Sequence, residues 1–398
     1  MVVGAGPAGC LAARQLASAG ASVLVLERRD VPRWKVCGSC VGVGALSVLA
    51  DVGLGDLARA GGAVPLSELV VQSRRRRAIL PLEGGASWSR GAMDEALLRA
   101  AEQAGATCWT GAHARIGTVA GDHRVVTVRL AGGMVEVRAR VVVDAAGLGG
   151  APHPGDGRGV VRSDARVGVG AIVPRAGLVR VASADGAGAP AELPPGRIHM
   201  VVGRTGYVGM VRLEDGSLDV AAAVDVAALR RGAPGDAVGE ILEGAGLRLE
   251  GAPTHGWRGT PPLTRAPASP VEARLFRVGD AMGYVEPFTG EGMGWALASA
   301  RAVTPLVLRG LDGWDDSLER CWHAYATGQA ERSRRLCRAV SRGLRHPLLV
   351  EGVLAVLARV PALAVPWIRR AGRVPAPLLA PPQHDTGGVR DGAAQEAA

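Results

Sequence analysis

Val2-Val3-Gly4-Ala5-Gly6-Pro7-Ala8-Gly9 decides the fold of this chain. An apolar run leads into a glycine turn. A helix-like stretch follows from Cys10 to Ala19, then a strand-like run Ser22-Val23-Leu24-Val25-Leu26, and then an acid, Glu27. Strand, glycine turn, helix, strand and acid in this order form a dinucleotide fingerprint. Glycines allow the tight turn and let a pyrophosphate approach the free amides and positive dipole end of a helix. Gly4, Gly6, Pro7, Ala8 and Gly9 are therefore cofactor-binding candidates. Glu27 is placed to bind a ribose diol, with Arg28 beside it, and its charge disfavours a 2′-phosphate. An AMP-type moiety fits this end. The first strand has only Met1-Val2-Val3 before the turn, shorter than usual; either the strand is short or the chain starts further upstream.

A second glycine signature lies far down the chain: Val278-Gly279-Asp280-Ala281-Met282-Gly283, followed by Pro287-Phe288-Thr289-Gly290-Glu291-Gly292-Met293. A strand ending in Gly279-Asp280 can set a carboxylate against a polyol. Amides at Gly290, Gly292 and Met293 would open a helix whose dipole favours an electron-rich ring. A helix cap is the plainer reading of Asp280 alone. Together the two signatures describe the two ends of one long cofactor, and point to FAD.

The 398 residues allow two large folding units, and an apolar content of 48% supports a substantial core. The formal charge of +9 comes from arginine, because Lys35 is the one lysine. Aromatics are only 3%, no basic-aromatic motif appears, and a nucleic-acid partner is not expected. The six cysteines at 10, 37, 40, 108, 321 and 337 form no regular framework. With no signal-peptide pattern, a reducing cytoplasm is expected. No run of about eighteen uncharged apolar residues suggests a transmembrane helix.

Along the chain, residues 1–60, 88–150 and 266–310 read as one α/β unit, a doubly wound Rossmann-like FAD-binding domain from discontinuous segments. It includes a helix over 88–106, strands at 125–130 and 135–138, and the buried-looking run Arg140-Val141-Val142-Val143-Asp144 before Ala145-Ala146-Gly147. Residues 61–87 and 151–265 are richer in strand-like alternation and read as a sheet-based substrate domain. Residues 311–375 read as C-terminal helices, and 376–398 as a disordered tail.

Four stretches carry a resemblance: Val2–Gly9 with Glu27; Pro32-Arg33-Trp34-Lys35-Val36-Cys37-Gly38; Arg90-Gly91-Ala92-Met93-Asp94-Glu95-Ala96-Leu97; and Val278–Met293. The chain resembles the FAD-dependent oxidoreductases of the p-hydroxybenzoate-hydroxylase-like superfamily, and most of all its geranylgeranyl-reductase branch. That resemblance implies bound FAD, NAD(P)H or another donor as a transient reductant, and a lipophilic small-molecule substrate of prenyl-lipid or polyketide-like type. It places Arg90, Cys37 and Gly38 near the FAD, and likens Asp144 to Gly147 to the family's short Asp-Gly motif. Two departures stand out. The branch often carries Cys-Gly-Gly where this chain has Cys37-Gly38-Ser39-Cys40. There is also no Trp-x-Trp pair of the flavin-halogenase type.

Lys35 and Cys37 are the catalytic candidates. A lone ammonium in an arginine-rich chain suggests a role that a planar, permanently charged guanidinium cannot fill. Cys37 and Cys40 form a C-x-x-C that could serve as a redox pair, as half a zinc site, or as packing. Zinc needs two more ligands and none stands out, so no metal is expected. The expected chemistry is hydride transfer from reduced flavin to a double bond. The alternatives are flavin-dependent hydroxylation of an aromatic or polyketide ring, or flavin or lipid binding without turnover. Arg332, Arg334, Arg335, Arg338, Arg342 and Arg345 precede an apolar stretch from Pro347 to Trp367. This pattern suits either peripheral membrane contact or a solvated helix followed by core.

Overall fold

The computed structural model describes residues 1–153, 160–174, 177–180, 190–191, 193–265, 269–286, 288 and 290–378, with side chains except at 178–180, 190–191 and 329–333. Pro287, Thr289, the Arg332 side chain and the tail from 379 lie outside the described residues.

A six-stranded sheet organises the first unit. Its order is Val271–Glu272, Leu275–Arg277, Val142–Asp144, Val2–Val3, Leu24–Leu26, Thr107–Trp109. All neighbours are parallel except the edge pair Val271–Glu272 and Leu275–Arg277. Parallel strands are covered on both faces, which is why they read as unbroken apolar runs; Val2, Val25, Val142 and Val143 are fully buried. The chain passes from Val2–Val3 outward through Leu24–Leu26 to Thr107–Trp109. It then returns to Val142–Asp144 on the other side of the first strand. Ligands bind beyond the carboxyl ends of strands at such a reversal, here beside Val3 and Asp144.

Three helices, Pro7–Ser18, Arg90–Gln103 and Gly292–Asp312, cover one face. Leu11, Leu97, Leu297 and Val303 pack there with Val2, Val25, Val143 and Phe276. The other face is covered by an antiparallel meander, His113–Ala120, His123–Leu130 and Gly133–Ala139. Its inward residues Ile116, Val126 and Val128 meet Val3, Leu26, Val142 and Leu275. The first of these strands went unrecognised because His113–Ala120 buries one side chain, Ile116, and shows little alternation.

A seven-stranded sheet builds the second unit, in the order Arg258–Pro262, Val167–Val173, Leu218–Val224, Gly206–Arg212, Arg197–Val202, Glu68–Gln72, Arg77–Pro81. The helix Pro234–Gly244 seals one face, setting Ile241 and Leu242 on Val169, Val208 and Val220. On the opposite face the C-terminal segments Pro347–Arg359 and Pro361–Ala364 set Val350, Leu354 and Ala364 on Leu69, Val71, Ala78 and Leu80. The same face carries Gly170, Ala221 and Gly209 in register, and one step along it Asp219 opposite Ile172 and Val211.

An ion triad, with Arg166 and Glu286 buried and Asp225 part-exposed, ties this unit to the second glycine segment. Arg166, 1% exposed, meets Glu286 and Asp225, each at 3.0 Å. Removing one partner of such a group strands a buried charge and costs about 3–5 kcal/mol.

Candidate functional site

The three glycines of the first turn do different work. Gly4 has φ +103°, and a Cβ there would lie 2.5 Å from the Ala145 carbonyl oxygen. A Cβ on Gly9 would lie 1.8 Å from the Gly4 carbonyl oxygen. These two positions let helix and strands pack at backbone contact. Gly6 is ordinary extended backbone, φ −93°, and a Cβ there would meet only Lys35 Nζ at 3.6 Å and an Arg90 nitrogen at 3.9 Å. It stands in front of a helix that begins with Pro7 and has no side-chain cap. Free amides, a positive dipole end and two cations suit this position to an anion.

Glu27, 4% exposed, closes the turn. Its Oε2 accepts from the Ala5 amide and from Arg33, both at 2.8 Å, and its Oε1 accepts from the Arg29 amide at 3.2 Å. The carboxylate thus holds the glycine loop before it meets any ribose. Arg33, unrecognised as a site residue, keeps a second buried guanidinium nitrogen with no partner. An orphaned donor beside the acid suits a sugar hydroxyl or phosphate oxygen. Arg28 is exposed.

Arg90 opens its helix behind a Ser89 cap and forks onto Asp94 at 3.0 and 2.8 Å. Asp94 is fully buried and also draws Lys35 Nζ to 3.8 Å. It is the hub of the basic cluster, and the spacing of four from Arg90 was the readable signal for it. Burial, and then the neighbouring Arg90 charge, push Lys35 down to about 8, partly offset by Asp94. Burial raises the Cys37 thiol, against the pull of Arg90, which also hydrogen-bonds it. Gly38 is exposed.

The second signature folds onto the first. Gly279, φ +59°, gives its amide to Ser299 Oγ at 2.8 Å, and a Cβ on it would sit 3.1 Å from Ala8 Cβ. Burial raises Asp280, while Arg90, Lys35 and Arg334 lower it. This acid of the second motif thus shares a site with the cations of the first. It caps neither neighbouring helix: Val278 and Glu291 occupy those positions. Gly290, φ +85°, would bring a Cβ to 3.4 Å from Cys40 Cβ. Gly292 opens the helix Gly292–Asp312, with Met293 buried behind it. Arg334, 8% exposed, points inward to the Met282 carbonyl at 3.4 Å. It belongs to the arginine run that suits either peripheral membrane contact or a solvated helix, and its own side chain is turned onto the second glycine segment.

Asp144, at the end of the strand Val142–Asp144, is held by its own loop. Its oxygens accept from the Ala146 amide at 3.0 Å and the Ala151 amide at 3.4 Å, with Arg277 at 3.9 Å. These bonds shape the turn that follows the strand. Gly147, φ +76°, starts a short 3-10 turn with open space about it. Cys37 and Cys40 are both free thiols, and Cys40 donates to the Gly38 carbonyl at 3.0 Å. Burial raises both thiols, which holds back the thiolate that disulfide exchange requires. Among the described residues, no group of three or more His, Cys, Asp or Glu could hold a metal ion.

An anion-binding helix start, two cations, an orphaned guanidinium nitrogen beside a buried acid, and a second acid on the same site fit a dinucleotide with a polyol arm. The fold and site define a flavoprotein. Residues 1–167 match the family described as FAD binding domain. The chain is similar to digeranylgeranylglycerophospholipid reductase 1 of Methanopyrus kandleri, with 34% identity over 160 residues. That match covers 37% of this chain and 39% of the relative, well under half of each. Among solved structures, the flavin-dependent brominase Bmp2 aligns with a TM-score of 0.71 at 16% identity, over 93% of this chain and 92% of that one. A flavoprotein/dehydrogenase from Cytophaga hutchinsonii aligns at 0.70 and 17%, over 94% and 96%. The flavin-dependent halogenase CmlS aligns at 0.68 and 20%, over 84% of this chain and 62% of that one. At these identities the likeness is one of fold.

Proposed function

We propose that the chain is an FAD-dependent oxidoreductase that reduces a double bond of a prenyl-lipid or polyketide-like substrate, with NAD(P)H or another donor as transient reductant. The observation that carries this reading is the placing of Lys35 and Cys37 beside Gly6, Arg90 and Asp280. A thiol and a tunable ammonium then stand at the cofactor site. Bound FAD supplies the hydride chemistry. Gly6 and the start of helix Pro7–Ser18 receive the pyrophosphate, with Arg90 and Lys35 balancing its charge. Asp280 takes the polyol, and the amides opening Gly292–Asp312 face the electron-rich end of the ring. Lys35, with a proton held near pH 8, and Cys37 orient or protonate the substrate. The reductase relative supports this choice; the halogenase neighbours share the fold without a Trp-x-Trp pair in this chain.

Hydroxylation by reduced flavin and oxygen is the competing chemistry. FAD-loaded protein is reduced anaerobically and mixed with prenyl-lipid acceptors. Reoxidation without oxygen supports the reductase. Product carrying one atom from labelled dioxygen, with no anaerobic turnover, refutes it. A chain that holds flavin and neither reduces nor hydroxylates any acceptor is the non-catalytic binding protein.

The C-terminal helices favour a lipophilic substrate. Leu349, Val353, Val356, Val360, Leu363 and Trp367 are all exposed, at alternating spacings of four and three, on the side turned away from Val350 and Leu354. Arg359 and Arg370 are exposed in the same segment. An apolar stripe edged by arginine suits an anionic lipid surface. Leu349→Ser with Trp367→Ser should abolish co-sedimentation with phosphatidylglycerol vesicles at low salt; wild-type protein that ignores those vesicles removes the membrane contact. Among the described residues, no helix is long and apolar enough to cross a membrane.

A further inference from the structure

We infer that an arginine-lined cleft beside the second glycine segment binds the phosphate head of a lipid and anchors the C-terminal helices at a membrane surface. The inference deepens the lipid-surface reading above and rests on it for the bilayer. The cleft itself shares no residue with the cofactor site. Three elements converge on it. The loop before the strand Val167–Val173 brings Arg162 and Asp164. The end of the second glycine segment brings Val285 and Glu286. The helix Glu331–Gly343, with the turn after it, brings Arg338, Arg342 and Arg345.

Four guanidinium groups and two carboxylates line the cleft, and both carboxylates are already taken. Arg162 forks onto Asp164 at 2.9 and 3.2 Å, and Glu286 accepts from the buried Arg166 at 3.0 Å. Arg345 ties two of the walls together, giving one nitrogen to the Asp164 carbonyl at 2.6 Å and another to Asp225 at 3.3 Å. Among the described residues, Arg342 enters no ion pair. Arg338 and Arg342 stand one helical turn apart, a like-charge spacing that destabilises a bare helix. The helix dipole favours a cation in the last turn, where Arg342 lies. That dipole does not bring Arg162 from a separate loop to the same cleft. Thr264 and Ser341 add hydroxyls to the lining. A site rich in donors, with its carboxylates spent, takes an oxyanion, and guanidinium forks match phosphate oxygens in pairs.

What flanks the arginines identifies the carrier of the phosphate. Val160 and Val161 come immediately before Arg162 and are exposed, Val160 at 77%. Leu348 and Leu349 come just after Arg345 and are exposed, Leu348 at 89%. Val161 is fixed beside the cleft by a backbone bridge to Arg265, next to Thr264. Leu349 lies back against the helix end: a Cβ on Gly343 would come to 3.7 Å from its methyl group. Exposed apolar side chains therefore stand next to the charge on two walls. A free anion gains nothing from them. A lipid head does, because its chains run on from the phosphate over the same apolar surface. Leu349 also begins the exposed stripe that ends at Trp367, so cleft and stripe are continuous.

The probe is dihexanoylphosphatidic acid, kept below its micelle concentration and titrated calorimetrically into the FAD-loaded protein. Arg342→Gln should weaken it about tenfold or more, the loss expected for one charge-assisted hydrogen bond, with FAD content unchanged. Arg162→Gln, from another wall, should weaken it similarly, and it carries the test if Arg342→Gln does not fold. Inorganic phosphate should bind more weakly than the lipid, because it meets the arginines without the apolar flanks. No binding of the lipid, or wild-type affinity in both variants, overturns the site. Inorganic phosphate held as tightly as the lipid overturns the lipid assignment. In co-sedimentation, wild type should prefer phosphatidic acid vesicles to cholesteryl hemisuccinate vesicles of equal surface charge, and both arginine variants should lose that preference. Equal binding of wild type to the two vesicles, the mark of general charge attraction, counts against the proposal. Protein that binds the soluble lipid but neither vesicle supports the head-group site and removes the membrane contact on its own.

Discussion

Gly6→Ala separates folding from cofactor binding more cleanly than any other change in the glycine turn. The backbone at Gly6 is extended and open to alanine, and the nearest atoms to a new Cβ are the ends of two flexible side chains at 3.6 and 3.9 Å. At a helix N-cap, alanine is worse than glycine by about 0.5–1 kcal/mol, so the apo protein should lose no more than that. The methyl group does occupy the space through which a phosphate must reach the helix amides. Losing one charge-assisted hydrogen bond costs about 1.5–3 kcal/mol, which is about ten- to a hundred-fold in affinity. FAD titration into apo protein, read by flavin fluorescence quenching, gives the affinity; urea unfolding of the apo protein gives the stability. Gly9→Ala is the contrast, because its Cβ would fall 1.8 Å from a backbone oxygen and should damage the fold itself. If Gly6→Ala binds FAD within threefold of wild type, the pyrophosphate does not lie on this turn and the reasoning fails.

Asp280→Ala should weaken FAD by about ten- to a hundred-fold, the worth of one charged hydrogen bond, with thermal stability of the apo protein little changed; unaltered FAD affinity would return Asp280 to a structural role. Lys35→Arg should slow anaerobic reoxidation and abolish a limb near pH 8 in its pH profile. Lys35 loses its proton above about 8, whereas arginine keeps its charge, so a limb that persists in the variant belongs to another group. Asp219→Asn should flatten the pH dependence of folding. The carboxyl titrates at about 7 when folded and near 3.9 when unfolded. Ionisation therefore disfavours the native state, and wild type should lose stability as pH rises from about 4 to 7, by up to about 4 kcal/mol from this group. Parallel curves for the two proteins in urea unfolding across that range would show that Asp219 is not held neutral.

The dinucleotide turn was legible because it is local. Val2–Gly9, a helix and Glu27 are contiguous, and the glycine positions answer steric demands within one strand-turn-helix unit. The Gly279-Asp280 signature was legible for the same reason, as a strand end and a glycine-rich helix start. What those local units meet was not. Asp280 comes to Arg90 and Lys35 because the strand Leu275–Arg277 pairs with Val142–Asp144 at the topological reversal, and pairing order leaves no mark on either segment. The two loop amides that Asp144 accepts from were not readable from its run of valines. Arg334 was one of a run of arginines suited either to a membrane surface or to a solvated helix, yet packing of its helix turns it inward. A lone acid in Leu218–Val224 could be noticed as a charge in an apolar strand, but its partner, Ser39, is brought to it only where the second sheet lies against the Lys35–Cys40 loop. Local backbone chemistry is written in neighbouring residues, and the sequence by itself determined the cofactor fold. The partners of its charges are chosen by burial and sheet order across the whole chain, and only the tertiary structure decided them.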